Sequence, residues 1–109
     1  MSTISTHVLD TVLGRPAAGI GVRLERQGAS EWVAVAASST DADGRCRPPD
    51  FVAEPGVYRL TFACLDYFKD QRRTTIYPEI AVVFSCGGEA HYHLPLLLSD
   101  NSYTTYRGS

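Results

Sequence analysis

The segment HYHLPLLLS, residues 91–99, constrains the fold of this chain more than any other part of the sequence. Successive side chains of a β-strand point to opposite faces, so a strand here has one apolar and one polar face. The polar face carries two imidazoles, His91 and His93, that the core of a small sandwich does not need. Pro95 has no N–H for a ladder, which predicts an edge strand or a β-bulge. The core-facing residues are Tyr92, Leu94, Leu96 and Leu98.

Shorter alternating runs recur along the chain and predict further strands. Residues 65–73 lose this alternation and fit about two turns of helix. About seven or eight short strands with one short helix are typical of an all-β fold, an antiparallel β-sandwich. At 109 residues the chain is expected to form a single domain, residues 1–109. The earlier predicted strands are 4–9, 20–25, 31–37, 56–64 and 76–85.

Several positions in these strands and turns carry specific expectations. Trp32 is the largest side chain available to anchor the core, and Ile76 is expected to point inward from its strand. Gly87 and Gly88 are expected to form a hairpin turn into the last strand. Residues 40–45 are rich in Asp and Gly but do not have the ligand spacing of a calcium loop, so we expect an Asx-type turn there.

The composition narrows the classes of partner. Hydrophobic residues make up 44% of the chain, charged residues 20%, and the net charge is −2 with both signs interspersed. The absence of a basic stripe argues against nucleic acid or an anionic membrane as the main partner. Three widely spaced cysteines without a C-x-x-C pair are typical of free thiols in a reducing compartment. No leader and no apolar run of about 20 residues is seen, so the expected location is cytoplasmic.

The residues that could perform chemistry cluster near the two ends of the sequence. All three histidines, His7, His91 and His93, fall in predicted strands. Three imidazoles could bind zinc with an open fourth position. They could equally act as a general base for water, with Arg45 or Arg107 stabilising developing negative charge. A G-x-S-x-G nucleophile motif is absent, and spacing alone indicates only a histidine-lined face, with its function open.

Six segments taken together resemble the 5-hydroxyisourate hydrolases, the transthyretin-like enzymes of urate breakdown. The C-terminal YRGS is the most specific of them, because it distinguishes the enzyme from the hormone carrier transthyretin. The resemblance extends over nearly the whole chain. The segments are STHVLD (5–10), LGRPA (13–17), DGR (43–45), YPE (77–79), HYHLPLLLS (91–99) and YRGS (106–109).

The resemblance implies a transthyretin (prealbumin)-like sandwich that assembles as a homotetramer, a dimer of dimers, with active sites where the dimers meet. It implies hydrolysis of 5-hydroxyisourate to 2-oxo-4-hydroxy-4-carboxy-5-ureidoimidazoline, with no metal and no cofactor. Carried over position by position, it assigns catalysis to His7, Arg45, His93 and Ser109. It assigns substrate binding to His7, Arg45, Tyr106 and Arg107, and a supporting role to His91.

Two other functions fit parts of the same pattern. A small-molecule carrier would use the channel between dimers, but it would line that channel with apolar groups rather than histidines and arginines. A zinc hydrolase would need the three imidazoles to converge on one ion. Both alternatives depend on how the first and last strands are placed in space, which the sequence does not show.

Overall fold

A computed structural model describes residues 1–109, and the chain forms ten strands and one helix. Four of the strands are only two or three residues long. The helix is a single short turn, and no helix of the chain is long and apolar enough to cross a membrane. In chain order the elements are β1 (Ser2–Asp10), β2 (Arg15–Pro16), β3 (Gly21–Gln27), β4 (Trp32–Ser39), β5 (Arg45–Cys46), β6 (Val52–Ala53), β7 (Gly56–Ala63), α1 (Leu65–Lys69), β8 (Ile80–Cys86), β9 (His91–Leu98) and β10 (Tyr103–Thr105).

The strands form two sheets. The first has the order β10-β9-β1-β2, with the short strands β5 and β6 also pairing with β1. The second has the order β4-β3-β7-β8. The predicted all-β sandwich with one short helix is therefore confirmed. One pair departs from the antiparallel pattern, because β1 and β9 run parallel over eight consecutive residue pairs.

The core between the sheets follows the predicted alternation. The inward residues of β3, β7 and β9 and of the first strand are almost fully buried, and the side chain of Phe68 from α1 joins them. Burial of a large aliphatic or aromatic side chain contributes about 1.5–3 kcal/mol, so this layer is the main source of stability. All three cysteines are buried free thiols. The four residues predicted to face the core from β9 are confirmed, and the buried residues on the other alternating runs are Ile4, Val8, Ile20, Val22, Leu24, Tyr58, Leu60, Phe62, Cys64 and Ile80.

Two predicted core positions were wrong. Trp32 begins the edge strand β4, most of whose residues are exposed, and its ring lies 4.4 Å from the guanidinium carbon of Arg59. A cation–π contact at the sheet edge therefore replaces the expected anchor. Ile76 is 71% exposed, because β8 begins only at Ile80. The residues before it return from the helix, where the Leu65 N–H donates to the carbonyl of Pro78 at 3.1 Å.

The predicted hairpin at Gly87 and Gly88 was also wrong. The strand before this segment, β8, belongs to the second sheet, and the strand after it, β9, belongs to the first. The segment is therefore a crossover between layers. Within it, the Gly87 N–H donates to the hydroxyl of Tyr92 at 2.9 Å. Glycine pairs indicate a turn, but they do not determine whether the following strand pairs with the preceding one.

Pro95 does not mark an edge strand or a bulge. β9 lies between β1 and β10, and its register with β1 is continuous. The missing N–H instead interrupts the pairing with the C-terminal segment. β10 ends with Thr105 opposite Leu96, and pairing resumes in the same register at the bridge between His93 and Gly108. The carbonyl of Pro95 is satisfied by the Thr105 hydroxyl at 2.8 Å.

A buried ion pair fastens the end of β1 to the segment after the helix. The Asp10 side chain has no exposed area, and its carboxylate accepts hydrogen bonds from Arg73 at 2.6 Å and from the Tyr67 hydroxyl at 2.7 Å. Arg73 also pairs with Asp100 in the loop between β9 and β10. Burial by itself raises the pKa of Asp10. Hydrogen bonds from Arg73, Tyr67 and the Leu13 N–H outweigh burial and lower this pKa from 3.8 to about 2.

This ion pair predicts a specific loss of stability in acid. The folded-state pKa of Asp10 lies below its unfolded value, so its contribution is complete above about pH 4 and disappears as the pH falls toward 2. The difference between the two pKa values corresponds to about 2 kcal/mol. We expect Asp10→Asn to lower the free energy of unfolding by about 2 kcal/mol at pH 7 and to flatten its dependence on pH between 4 and 2. Urea unfolding at each pH measures both effects.

The matched control is Glu31→Gln, which removes one negative charge from an exposed side chain without an ion pair. We expect this variant to keep the wild-type stability and its acid dependence. Equal stability of Asp10→Asn and wild-type protein at pH 7 would show that the buried pair is not stabilising.

Candidate active site

The polar residues of both chain ends meet on the outer face of the first sheet. The parallel register of β1 and β9 sets Ser5 beside His93 and Thr3 beside His91. The antiparallel register of β1 and β5 sets His7 opposite Arg45. The first strand and β9, which was predicted as the last strand, therefore do meet, and their non-core faces combine into one polar surface.

A cleft of about 280 Å³ opens on this surface. None of its lining residues is hydrophobic, and none has a carboxylate side chain. The lining instead combines hydroxyl groups, imidazoles and guanidinium groups. Its seven residues are Ser5, Thr6, Arg45, Arg47, His91, His93 and Ser109.

The turn before β5 places the first arginine. The carboxylate of Asp41 accepts the N–H groups of Asp43 and Arg45, each at 2.9 Å, which confirms the predicted Asx-type turn. Gly44 completes the turn with φ of +75°, and a Cβ there would lie 2.4 Å from the carbonyl oxygen of Val8. Only glycine combines this backbone conformation with so close an approach to β1.

The second arginine follows from the strand period. Cys46 is buried, so Arg45 and Arg47 on either side of it both point to the outer face. Neither guanidinium forms an ion pair in the chain. Two uncompensated cations beside two imidazoles make the cleft suited to an anion or to negative charge that develops during a reaction.

The two imidazoles on β9 are joined through a buried serine. The Ser5 hydroxyl oxygen lies 2.8 Å from Nδ1 of His93 and 2.9 Å from Nε2 of His91. Nδ1 of His91 in turn contacts the hydroxyl of Thr3. The two rings are nearly parallel, with 17° between their planes and 6.4 Å between their centroids. Nε2 of His93 has no hydrogen-bond partner in the chain and remains free for a molecule in the cleft.

The C-terminal residues close one side of the cleft by pairing with β9. The Gly108 N–H donates to the carbonyl of His93 at 2.7 Å. A Cβ at Gly108 would lie 2.7 Å from Cδ2 of the His93 ring, so the backbone packs directly on the imidazole. This contact brings Ser109 to the cleft.

The electrostatic setting of His93 favours its neutral form. Partial burial lowers its pKa below the ordinary 6.5, and His91, Arg45, His7 and Arg47 lower it further through their positive charge. A neutral imidazole with a free Nε2 can accept a proton from water at neutral pH.

The predicted site residues divide into three groups. Arg45, His91, His93 and Ser109 line the cleft together. His7 lies next to it on β1, and its Nε2 contacts the carbonyl of Asp43 at 2.8 Å rather than the cleft. The other two, Tyr106 and Arg107, lie outside the cleft of the single chain.

Both outlying residues belong to the exposed C-terminal segment. The side chain of Tyr106 is half exposed, and Arg107 lies 5.1 Å from the ring of Tyr92 and 3.6 Å from the carboxylate of Glu89. Their role in substrate binding stays a prediction.

Sequence reasoning missed three lining residues, Ser5, Thr6 and Arg47. Two of them lie two positions from a predicted residue, Ser5 before His7 and Arg47 after Arg45. The period of a strand puts such neighbours on the same face, so this signal was present in the sequence.

The chain brings no group of three histidine, cysteine or acidic side chains together in a way that could hold a metal ion. His7 does not converge with the other two imidazoles. The cleft also contains two guanidinium groups, which repel a cation. The three-histidine zinc site weighed from the sequence is therefore not formed within one chain.

Comparison with known proteins identifies the family to which this chain belongs. The profile of the HIUase/Transthyretin family matches residues 4–108. The 5-hydroxyisourate hydrolase of Mus musculus is 44% identical over 115 aligned residues, which cover 99% of this chain and 96% of the mouse protein.

Solved structures of two kinds resemble the chain. The 5-hydroxyisourate hydrolase of Klebsiella pneumoniae superposes with a TM-score of 0.88 at 38% identity over the whole of both chains. The transthyretin of Sparus aurata superposes with a TM-score of 0.87 at 32% identity, over 99% of this chain and 97% of that one. Because the family profile spans nearly all of its residues, the chain belongs to the HIUase/transthyretin family.

Proposed function

We propose that this protein hydrolyses 5-hydroxyisourate to 2-oxo-4-hydroxy-4-carboxy-5-ureidoimidazoline, a step of urate degradation. The family contains both hydrolases and transthyretins on one fold, so the fold does not decide between them. The observation that carries the proposal is the lining of the cleft, which has imidazoles, guanidiniums and hydroxyls but no hydrophobic residue. A carrier of an apolar molecule requires a largely apolar pocket.

His93 is the proposed general base. Water adds to a carbonyl carbon of the substrate, and the proton of that water passes to Nε2 of His93. The C–N bond of the ring then breaks, and the same proton goes to the leaving nitrogen. The free Nε2 and the lowered pKa of His93 both suit this role. His7 is proposed to help His93 orient the water, since it lies beside the cleft on the same face of β1 as Ser5.

Arg45 and Arg47 are the proposed electrostatic partners of the substrate. A planar guanidinium can hold two oxygen atoms of a planar ring and stabilise the oxyanion that forms during addition of water. The absence of an ion pair at either arginine supports this role, because no internal carboxylate competes with the substrate. Ser109 would close the cleft over the bound ring.

The proposal includes assembly as a homotetramer, a dimer of dimers, with 5-hydroxyisourate bound where the dimers meet. Tyr106, which is 53% exposed, and Arg107 lie outside the cleft of their own chain. A neighbouring copy facing the cleft would give both side chains a place near the substrate. Analytical ultracentrifugation measures the assembly, and a monomer at assay concentration would contradict this part of the proposal.

The function is tested with freshly generated 5-hydroxyisourate, whose spontaneous decay is followed by absorbance. We expect the protein to accelerate the decay well above the spontaneous rate. His93→Ala and Arg45→Ala should each lower kcat by about 10² or more, because each removes an acid–base or electrostatic contribution of that size.

Arg26→Ala is the control for these variants, since it removes an exposed arginine from β3 in the other sheet. It should retain the wild-type rate. A protein that does not accelerate the decay would refute the function, whereas wild-type rates in one active-site variant would remove only that residue from the mechanism.

The pH dependence provides a separate check on the base. Because the pKa of His93 is lowered, kcat/KM should stay constant at neutral pH and fall only below the ordinary histidine value of about 6.5. Arg47→Gln removes one of the positive charges that lower this pKa, so its acid limb should move to higher pH. An acid limb at or above pH 6.5 in the wild-type enzyme would contradict the assignment.

The contact between the C-terminal segment and His93 predicts an effect of one methyl group. Gly108→Ala would place Cβ against Cδ2 of His93, so either the imidazole or the C-terminal segment must move. We expect a fall in kcat of about 10-fold or more, since small misplacements of a catalytic group cost this much. Gly87→Ala is the matched control, because a Cβ there meets nothing within 4 Å. Equal activity of the two variants would show that the docking of Gly108 does not orient His93.

A further inference from the structure

A single serine hydroxyl serves both imidazoles, and its hydrogen bonding constrains their tautomers. Ser5 has one hydrogen to donate, and its oxygen contacts Nδ1 of His93 and Nε2 of His91. Because Ser5 can donate to only one of these nitrogens, at least one of the two must carry a hydrogen that the Ser5 oxygen accepts when both rings are neutral. The two histidines therefore cannot choose their tautomers independently.

The far end of the chain of contacts fits one direction of this relay. Nδ1 of His91 contacts the hydroxyl of Thr3, and that hydroxyl lies 3.5 Å from the carbonyl oxygen of Ala90. A carbonyl only accepts, so when the Thr3 hydroxyl donates to Ala90, the Thr3 oxygen is left to accept from Nδ1 of His91. His91 then carries its hydrogen on Nδ1, and its Nε2 accepts from Ser5.

This direction continues to the cleft. With its hydrogen donated to His91, the Ser5 oxygen accepts from Nδ1 of His93, and the lone pair of that ring lies on Nε2. No group of the chain contacts Nε2 of His93, which lines the cleft. The reverse direction would place a hydrogen on Nε2 and would leave the Thr3 oxygen without a donor from the protein.

We infer that Ser5 and His91 are positioning residues that hold His93 in the Nδ1–H tautomer, with Nε2 directed to the cleft as the base. Thr3 and the Ala90 carbonyl orient this relay from the solvent-exposed end. The inference rests on the proposed function for one point, that His93 acts as a base. The relay also gives a role to His91, which lines the cleft although its Nε2 is engaged by Ser5.

The burial of these groups supports the relay. Ser5 is only 5% exposed, so water does not readily replace its hydroxyl between the two rings. The parallel register sets Ser5 directly beside His93 and Thr3 directly beside His91, so the backbone holds all four groups in line. A buried hydroxyl costs free energy unless it is hydrogen-bonded, and the two imidazoles provide the partners of Ser5.

The tautomer of His93 is measured by the ¹⁵N chemical shifts of its imidazole nitrogens in the neutral wild-type protein. We expect the hydrogen on Nδ1. In Ser5→Ala the acceptor for that hydrogen is lost, so the hydrogen should move to Nε2, and kcat should fall by about 10-fold, part of the 10²–10⁴ that a positioned base contributes. KM should change little, because the hydroxyl is engaged by the rings and not by the substrate.

Three further variants separate this role from a merely structural one. Ser5→Thr keeps the hydroxyl and should restore both the Nδ1–H tautomer and kcat. His91→Phe keeps a ring but removes both nitrogens, so Ser5 becomes free to donate to His93 and the hydrogen should move to Nε2. Ser2→Ala deletes another buried hydroxyl of the same strand, which donates to the Glu89 carbonyl, and should change neither the tautomer nor kcat.

The outcomes distinguish this inference from the function. A wild-type His93 with its hydrogen on Nε2, or an unchanged tautomer in both Ser5→Ala and His91→Phe, would overturn the relay even in an active hydrolase. A wild-type protein with the expected tautomers but no activity on 5-hydroxyisourate would leave the relay standing and would refute the function.

Discussion

The parallel pairing of β1 with β9 is the constraint on which the rest of this structure depends. Parallel neighbours cannot be joined by a tight turn, so the whole second sheet and the helix lie between these strands in sequence. This pair forms the centre of the first sheet and places residues 3–10 beside residues 91–98. The histidines of one strand and the serine of the other thus become neighbours only through long-range hydrogen bonds. The buried pair of Asp10 and Arg73 secures one end of this seam.

The site beside the paired strands β1 and β9 holds positive charges without ion-pair partners, an arrangement that does not favour stability. Two guanidiniums and two imidazoles share a cleft that contains no carboxylate side chain. Burial lowers the pKa of His93, and the positive charges around the ring lower it further, so the neutral imidazole is favoured. Such uncompensated charge is typical of functional sites rather than of structural ion pairs. The ion pairs of Arg73 with Asp10 and Asp100 show the contrast, because there every charge has a partner.

Most of the core could be predicted because strand alternation is a local property. Leu24, Leu60 and Leu96 each lie on the apolar side of a regular run, and each is completely buried. The wrong predictions depended on information from distant residues. Trp32 looks like an anchor until Arg59 on another strand provides a contact at the sheet edge. Gly87 and Gly88 have the chemistry of a hairpin, but the layer that the next strand enters depends on the complete sheet order.

The sequence by itself determined the fold class, the polar face of the last strand and the identity of most cleft residues, because the strand period and short family motifs are written locally. Only the tertiary structure decided which residues meet. It placed Ser5 between His91 and His93, added Arg47 to the cleft, and left Tyr106 and Arg107 outside the cleft of their own chain. It also showed that the missing N–H of Pro95 interrupts the pairing of β9 with the C-terminal segment. Register between strands distant in sequence is set by packing of the whole core, and no local pattern encodes it.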